Sequence, residues 1–94
     1  MFSLKDFAPH VQTRFGVEAL ENYELELAEI EDHSNERLEQ FSLIFTGVAS
    51  PWLQQGAYEL RHPDMGSCEL FLVPIGPDGT GMRYQAVFSR LIQP

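Results

Sequence analysis

The chain has one cysteine, Cys68, so no disulfide can form within it. Basic residues are scarce as well. Six of them (Lys5, Arg14, Arg37, Arg61, Arg83, Arg90) face 14 acidic residues, a net charge of −8, and they are scattered along the sequence. Displacing counterions from a polyphosphate needs clustered positive charge, so nucleic acid is not an expected partner. Anionic membrane surfaces are disfavoured for the same reason. Long apolar runs are also lacking: the longest, Leu70–Ile75, falls far short of the roughly 20 residues of a spanning helix. The N-terminus, Met-Phe-Ser-Leu-Lys-Asp, carries no targeting stretch. These absences predict a soluble protein of a reducing compartment, cytoplasmic or exported only within some larger particle.

Site motifs are missing too. His10, His33 and His62 are isolated, and no His-x-x-x-His or Cys-x-x-Cys spacing exists, so neither zinc nor any other cofactor is expected. Gly76, Gly79 and Gly81 make no dinucleotide fingerprint, because a strand pattern follows where phosphate binding needs a helix N-terminus. His62-Pro63-Asp64 reads as a turn; a base there would need a nucleophile, and Ser67 sits in nothing like a nucleophile elbow. Cys68 reads as a small buried apolar residue rather than a nucleophile. No catalytic residue is assigned, and the chain is not expected to be an enzyme.

What the chain does have is apolar material: 44% hydrophobic residues, seven of them Phe, within 94 residues. That suffices for one core and one domain spanning residues 1–94. Ser3–His10 reads as one helical turn, capped by Ser3 with Asp6 three residues on and limited by Pro9. Thr13–Val17 is a short strand.

The stretch 18–32 fits both periods. Val17, Leu20, Tyr23, Leu27 and Ile30 share a helical face, whereas Tyr23, Leu25 and Leu27 alternate with Glu24 and Glu26 as in a strand. A helix would set Glu18–Glu21, Glu21–Glu24 and Glu26–Glu29 as like-charge neighbours and place Glu29, Glu31 and Asp32 at the negative end of its dipole. A strand from Tyr23 to about Glu31 is therefore preferred. Its change of phase at Leu27–Ala28 implies a bulge.

Farther on, His33–Gln40 reads as a loop and Phe41–Thr46 as a strand. Gly47 and Pro51 bracket a turn, followed by Ala57–His62 as a strand and His62–Gly66 as a turn. Cys68–Ile75 reads as a strand buried on both sides or passing through the core, with Pro74 at its end or on an edge. Gly76–Gly81 is a hairpin turn through Asp78-Gly79, and Met82–Leu91 returns as the last strand. The fold class is all-β: a small antiparallel barrel or two-layer sandwich of about six strands with a short N-terminal helical turn.

Two features could meet a partner. Nine of the acidic residues lie between Glu18 and Glu39, and Glu24 and Glu26 project from one strand face. This is either a solvated face or a dock for a basic partner. Asp32-His33-Ser34-Asn35-Glu36 has oxygens at alternate positions but lacks the Gly and the further Glu of a calcium loop. Trp52-Leu53 is an apolar pair in a loop, either plugging the barrel or anchoring an interface.

Four blocks together carry a resemblance: Phe41–Gly47, Leu53–Pro63, Leu70–Gly76 and Tyr84–Leu91. The chain resembles a family of short bacterial domains of unknown function, often encoded beside phage-tail-collar-like proteins. The resemblance implies a non-enzymatic protein-interaction or structural module, accessory to a phage-tail-like assembly, with a protein partner or a second copy of itself. A small-ligand-binding barrel is the alternative, and it requires an internal pocket of at least about 300 Å³.

Overall fold

The structure, a computed structural model, describes residues 2–79 and 81–92. Leu4–Phe7 form a helical turn, α1, and Ala8–His10 a single 3-10 turn. Six strands follow: β1 Arg14–Val17, β2 Glu24–Asp32, β3 Leu38–Val48, β4 Gly56–His62, β5 Gly66–Asp78 and β6 Gly81–Leu91. They close into an antiparallel barrel in the order β1-β2-β3-β6-β5-β4. A barrel, and not a sandwich, is the form that removes open sheet edges.

Alternation builds the core. Phe15 and Val17 of β1, Leu25 and Leu27 of β2, Phe45 of β3, Leu60 of β4, Leu72 of β5 and Tyr84 of β6 are all fully buried. Each end is plugged. Phe7 of α1 packs on Phe41 and Phe88, which themselves stack at 4.7 Å with ring planes 4° apart. The helical turn is fixed by Asp6, whose carboxylate accepts the Ser3 N–H at 2.7 Å and is held below its ordinary pKa by that bond. At the other end, Leu53 is buried from the β3–β4 loop.

The segment that fits both periods is a strand, and its bulge lies where the change of phase implies. The β2–β3 register steps from Leu27–Phe45 to Glu29–Ile44, leaving Ala28 out. The extra residue keeps Ile30 on the core side after Leu27.

Three expectations are corrected, and the one for Pro74 holds. β3 begins at Leu38, inside the stretch 33–40 read as loop, because Leu38–Gln40 pair with Ser89–Leu91. β5 is not buried on both sides: Cys68, Leu70 and Leu72 face inward, whereas Phe71 is 54% exposed, since a barrel strand of this size has only one inner face. Pro74 lies inside β5 but on an edge, as expected: the β4 ladder ends at Gly56–Leu72, so Pro74 has a strand neighbour only in β6. Gly47 does not turn the chain but continues β3, opposite Met82. A Cβ there would stand 2.5 Å from Leu25 Cδ2, so the position is glycine because Leu25 fills the space.

The turn at His62–Gly66 stands: His62 pairs with Gly66, which has φ +79°. The second turn is at Gly79 but narrower than 76–81, because β5 runs on to Asp78, which pairs with Gly81 next to Gly79 at φ +60°. Thr80, within the second turn, lies outside the described residues.

The β5–β6 seam is incomplete. Its ladder runs from Asp78–Gly81 to Val73–Gln85 and stops. Beyond that point β5 stays paired with β4 down to Gly66, and β6 stays paired with β3 out to Leu91. Along Ser67–Leu72 and Ala86–Leu91 each strand therefore has a partner on one side only.

Replacing Gly47 with Ala is expected to cost about 1–3 kcal/mol, because the buried Leu25 side chain must shift to admit the new Cβ. Gly16→Ala, where the added Cβ would meet nothing closer than 3.7 Å, is expected to stay within about 1 kcal/mol of the parent. Urea unfolding of the two variants measures the difference.

Candidate functional site

Three places hold chemistry worth weighing: a histidine cluster at one barrel end, a tyrosine-tied loop at the other, and the cavity in the seam.

The fold brings together two histidines that the sequence keeps far apart. His10, from the 3-10 turn, and His62, at the end of β4, have ring centroids 4.5 Å apart. With Asp64 they offer three ligand atoms within 4.8 Å of one another. His62 is only 6% exposed and packs on Phe15. Both of its ring nitrogens are engaged. Nδ1 accepts the Asp64 backbone N–H at 3.0 Å, so the ring hydrogen sits on Nε2 and is donated to Thr13 Oγ1 at 3.0 Å. The Thr13 hydroxyl in turn donates to the His10 carbonyl at 2.6 Å.

This triad-like row of Thr, His and Asp runs the wrong way for catalysis. A base must accept the nucleophile's proton, and Nε2 already carries one. The Asp64 carboxylate does not orient the ring; its backbone amide does. A metal bound at His62 would displace one of these two hydrogen bonds. The arrangement knots the N-terminal segment to β4.

The thiol of Cys68 is no better placed for chemistry. It is buried, and burial, followed by the nearby Glu59 carboxylate, pushes its pKa up, away from the reactive thiolate. The oxygens of the Asp32–Glu36 segment are also in use. Asp32 Oδ1 accepts the Ser34 N–H, which holds Asp32 below its ordinary pKa, and Asn35 Oδ1 accepts from Arg37 and Leu38.

At the opposite end, all three tyrosines of the chain converge on one loop. The Tyr23 hydroxyl donates to the Pro51 carbonyl at 2.6 Å, and the Tyr58 hydroxyl to the Gln54 carbonyl at 2.6 Å. The Tyr84 hydroxyl accepts the Leu53 N–H at 2.8 Å. The phenol of Tyr23 is pushed well above its ordinary pKa, first by burial and then by the neighbouring Tyr84 hydroxyl.

The loop splits the apolar pair read from the sequence. Leu53 turns in as the plug, and Trp52 turns out at 49% exposure. Glu24 and Glu26 lie on β2 beside Tyr23, with Glu24 3.6 Å from Arg14. The acidic stretch is thus partly neutralised in space: Glu18 bonds Arg61 at 2.7 Å and Glu39 bonds Arg90 at 2.9 Å. Sequence reasoning missed the tyrosine ties, because no spacing links positions 23, 58 and 84.

The third place is a cavity of about 560 Å³ where the seam opens. Cys68 and Leu70 of β5, Phe41, Phe88, and Phe2 from the N-terminal arm supply its apolar lining. Glu69 and the Glu39–Arg90 pair supply its polar rim. Nothing in the sequence pattern signalled it, since a ladder's end is a property of two distant segments.

A family model described as a domain of unknown function (DUF6916) matches residues 2–88, so the chain belongs to that family. No curated protein and no solved structure matches it. Among the described residues, no helix is long and apolar enough to cross a membrane.

The buried, uncharged state of His62 has a pH signature. Burial, then the neighbouring His10, lowers its pKa below the ordinary 6.5, against a weaker opposite pull from Asp64. The unfolded chain thus takes up this proton first as the pH drops. The stability held by the neutral ring is complete above about pH 6.5 and is lost as the pH falls through the lower folded value. The thermal midpoint is expected to fall between pH 7 and 5. His62→Gln should lower the midpoint at pH 7 and remove this part of the slope. Nitrogen-proton correlation spectra at pH 7 should show His62 protonated on Nε2.

Proposed function

We propose that this family member is a non-enzymatic protein-interaction module whose contact surface centres on Trp52. Accessory service in a phage-tail-like assembly is the setting that the resemblance implies. One observation carries the reading: three tyrosine hydroxyls bind the main chain of Pro51–Gln54, while the Trp52 side chain is left half exposed.

An exposed Trp on a mobile loop would lose affinity to ordering, roughly 0.5–1.5 kcal/mol for each side chain immobilised. Here the backbone is ordered before any partner arrives. Trp is also the residue most enriched among interface hot spots. Glu24 and Glu26 add negative charge beside the tyrosine that holds the loop, which suits a partner with an apolar pocket and a basic rim. The tautomer of His62 and the raised pKa of the Cys68 thiol support the non-enzymatic half of the reading.

The small-ligand barrel keeps one point in its favour, a cavity of about 560 Å³, above the usual lower bound for a ligand pocket. That cavity opens in the wall, however, and the barrel axis is filled by Phe, Leu and Tyr side chains.

Co-purification from the native cell, with proteins encoded beside this chain as the candidate partners, tests the proposal. Wild type is expected to retain a partner or to self-associate. Trp52→Ala should weaken that association at least about tenfold, roughly 1.4 kcal/mol, with the unfolding midpoint changed little. A protein that remains monomeric and brings no neighbouring product with it would overturn the proposal.

A further inference from the structure

Resting on the interaction-module reading, we infer that the β5–β6 seam takes up an extended segment of a partner protein, in which apolar side chains alternate with Lys or Arg. The segment adds as a strand along the free edge of β5, Ser67–Leu72.

First, the ladder ends at Val73–Gln85, while both strands continue with a partner on one side only. Their unshared main-chain edges face a cavity. A row of alternating N–H and C=O groups is matched by another extended backbone, and strand addition is the recognised way of meeting it. A compact apolar ligand could fill the volume but would leave those groups unmatched.

Second, the inner wall is apolar. Cys68 and Leu70 point into the cavity from β5, and Phe41 and Phe88 close its floor. A strand laid there would send every second side chain inward, so those positions must be apolar.

Third, the outer rim is net negative, because its one cation, Arg90, is paired with Glu39 and Glu69 is left over. Glu69 stands directly opposite Glu59 in the β4–β5 ladder, and both are exposed. Like charges directly opposed across a strand pair are destabilising. No ion-pair partner within reach relieves either one among the described residues, whereas Arg90, across the cavity, is already held by Glu39. Outward positions of the added strand would thus be basic. Their long stems would also cover Phe71 and Val87, exposed at 54% and 58%. A second copy of this chain is disfavoured as occupant, because it would bring the same charge to the same place.

The test uses the whole chain and a labelled hexapeptide, Lys-Val-Lys-Val-Lys-Val. Two controls accompany it: the same peptide N-methylated at alternate residues, and Glu-Val-Glu-Val-Glu-Val. Anisotropy measures binding, and amide exchange locates it. The lysine peptide is expected to bind and to slow exchange between Ser67 and Leu72. N-methylation should weaken it at least about tenfold. Glu69→Lys, an exposed change that leaves the core intact, should weaken the lysine peptide and strengthen the glutamate one.

Equal binding of the N-methylated peptide would overturn strand addition. So would occupancy of the cavity by the neutral dye 1-phenylnaphthylamine with no peptide binding, or a dimer whose exchange protection falls on Ser67–Leu72. The two proposals fail separately: loss of peptide binding with Trp52-dependent co-purification intact removes the seam and leaves the module standing.

Discussion

Strand β1 spans only Arg14–Val17, yet it has partners on both sides: Phe15 lies opposite Leu25 of β2, and Val17 opposite Leu60 of β4. Without that short bridge, β2 and β4 would be open edges and the chain a curled sheet with a wet apolar face. Closure puts the small core at the centre and forces a second demand, that both ends be stoppered. The N-terminal turn meets it with Phe7 and the β3–β4 loop with Leu53. The histidine knot and the tyrosine ties follow from the same demand, because each fastens a stopper to the wall.

Much of this was legible in the sequence where local physics decides. Like-charge crowding among the glutamates of residues 18–31 separated strand from helix, and the phase change at Ala28 located the bulge. Gly66 and Gly79 marked turns because a positive φ is cheap only for glycine. Legibility failed where the deciding neighbour is distant. Gly47 looked like punctuation because the side chain that requires its small size, Leu25, lies 22 positions away. The run 68–75 looked doubly buried because composition cannot show that Phe71 faces out.

The candidate sites divide in the same way. Trp52, Glu24 and Glu26 could be named from the chain alone, since exposure at a loop or on a charged strand face is a local property. The partners of Tyr23, Tyr58 and Tyr84 could not, nor could the meeting of His10 with His62, 52 positions apart. The seam is the extreme case. It is defined by pairs that do not form, and no single segment records that. Rim loop and seam differ in kind: one presents a side chain, the other presents backbone.

The tyrosine ties reach only main-chain atoms: the Pro51 carbonyl, the Leu53 amide and the Gln54 carbonyl. The hydrogen bonds therefore do not read the side chains at 52, 54 and 55, all of which are exposed. Those three positions can be rewritten while the frame that holds them stays unchanged. The frame thus sets the path of the loop and is indifferent to the chemistry it displays: outline and lettering are separately held.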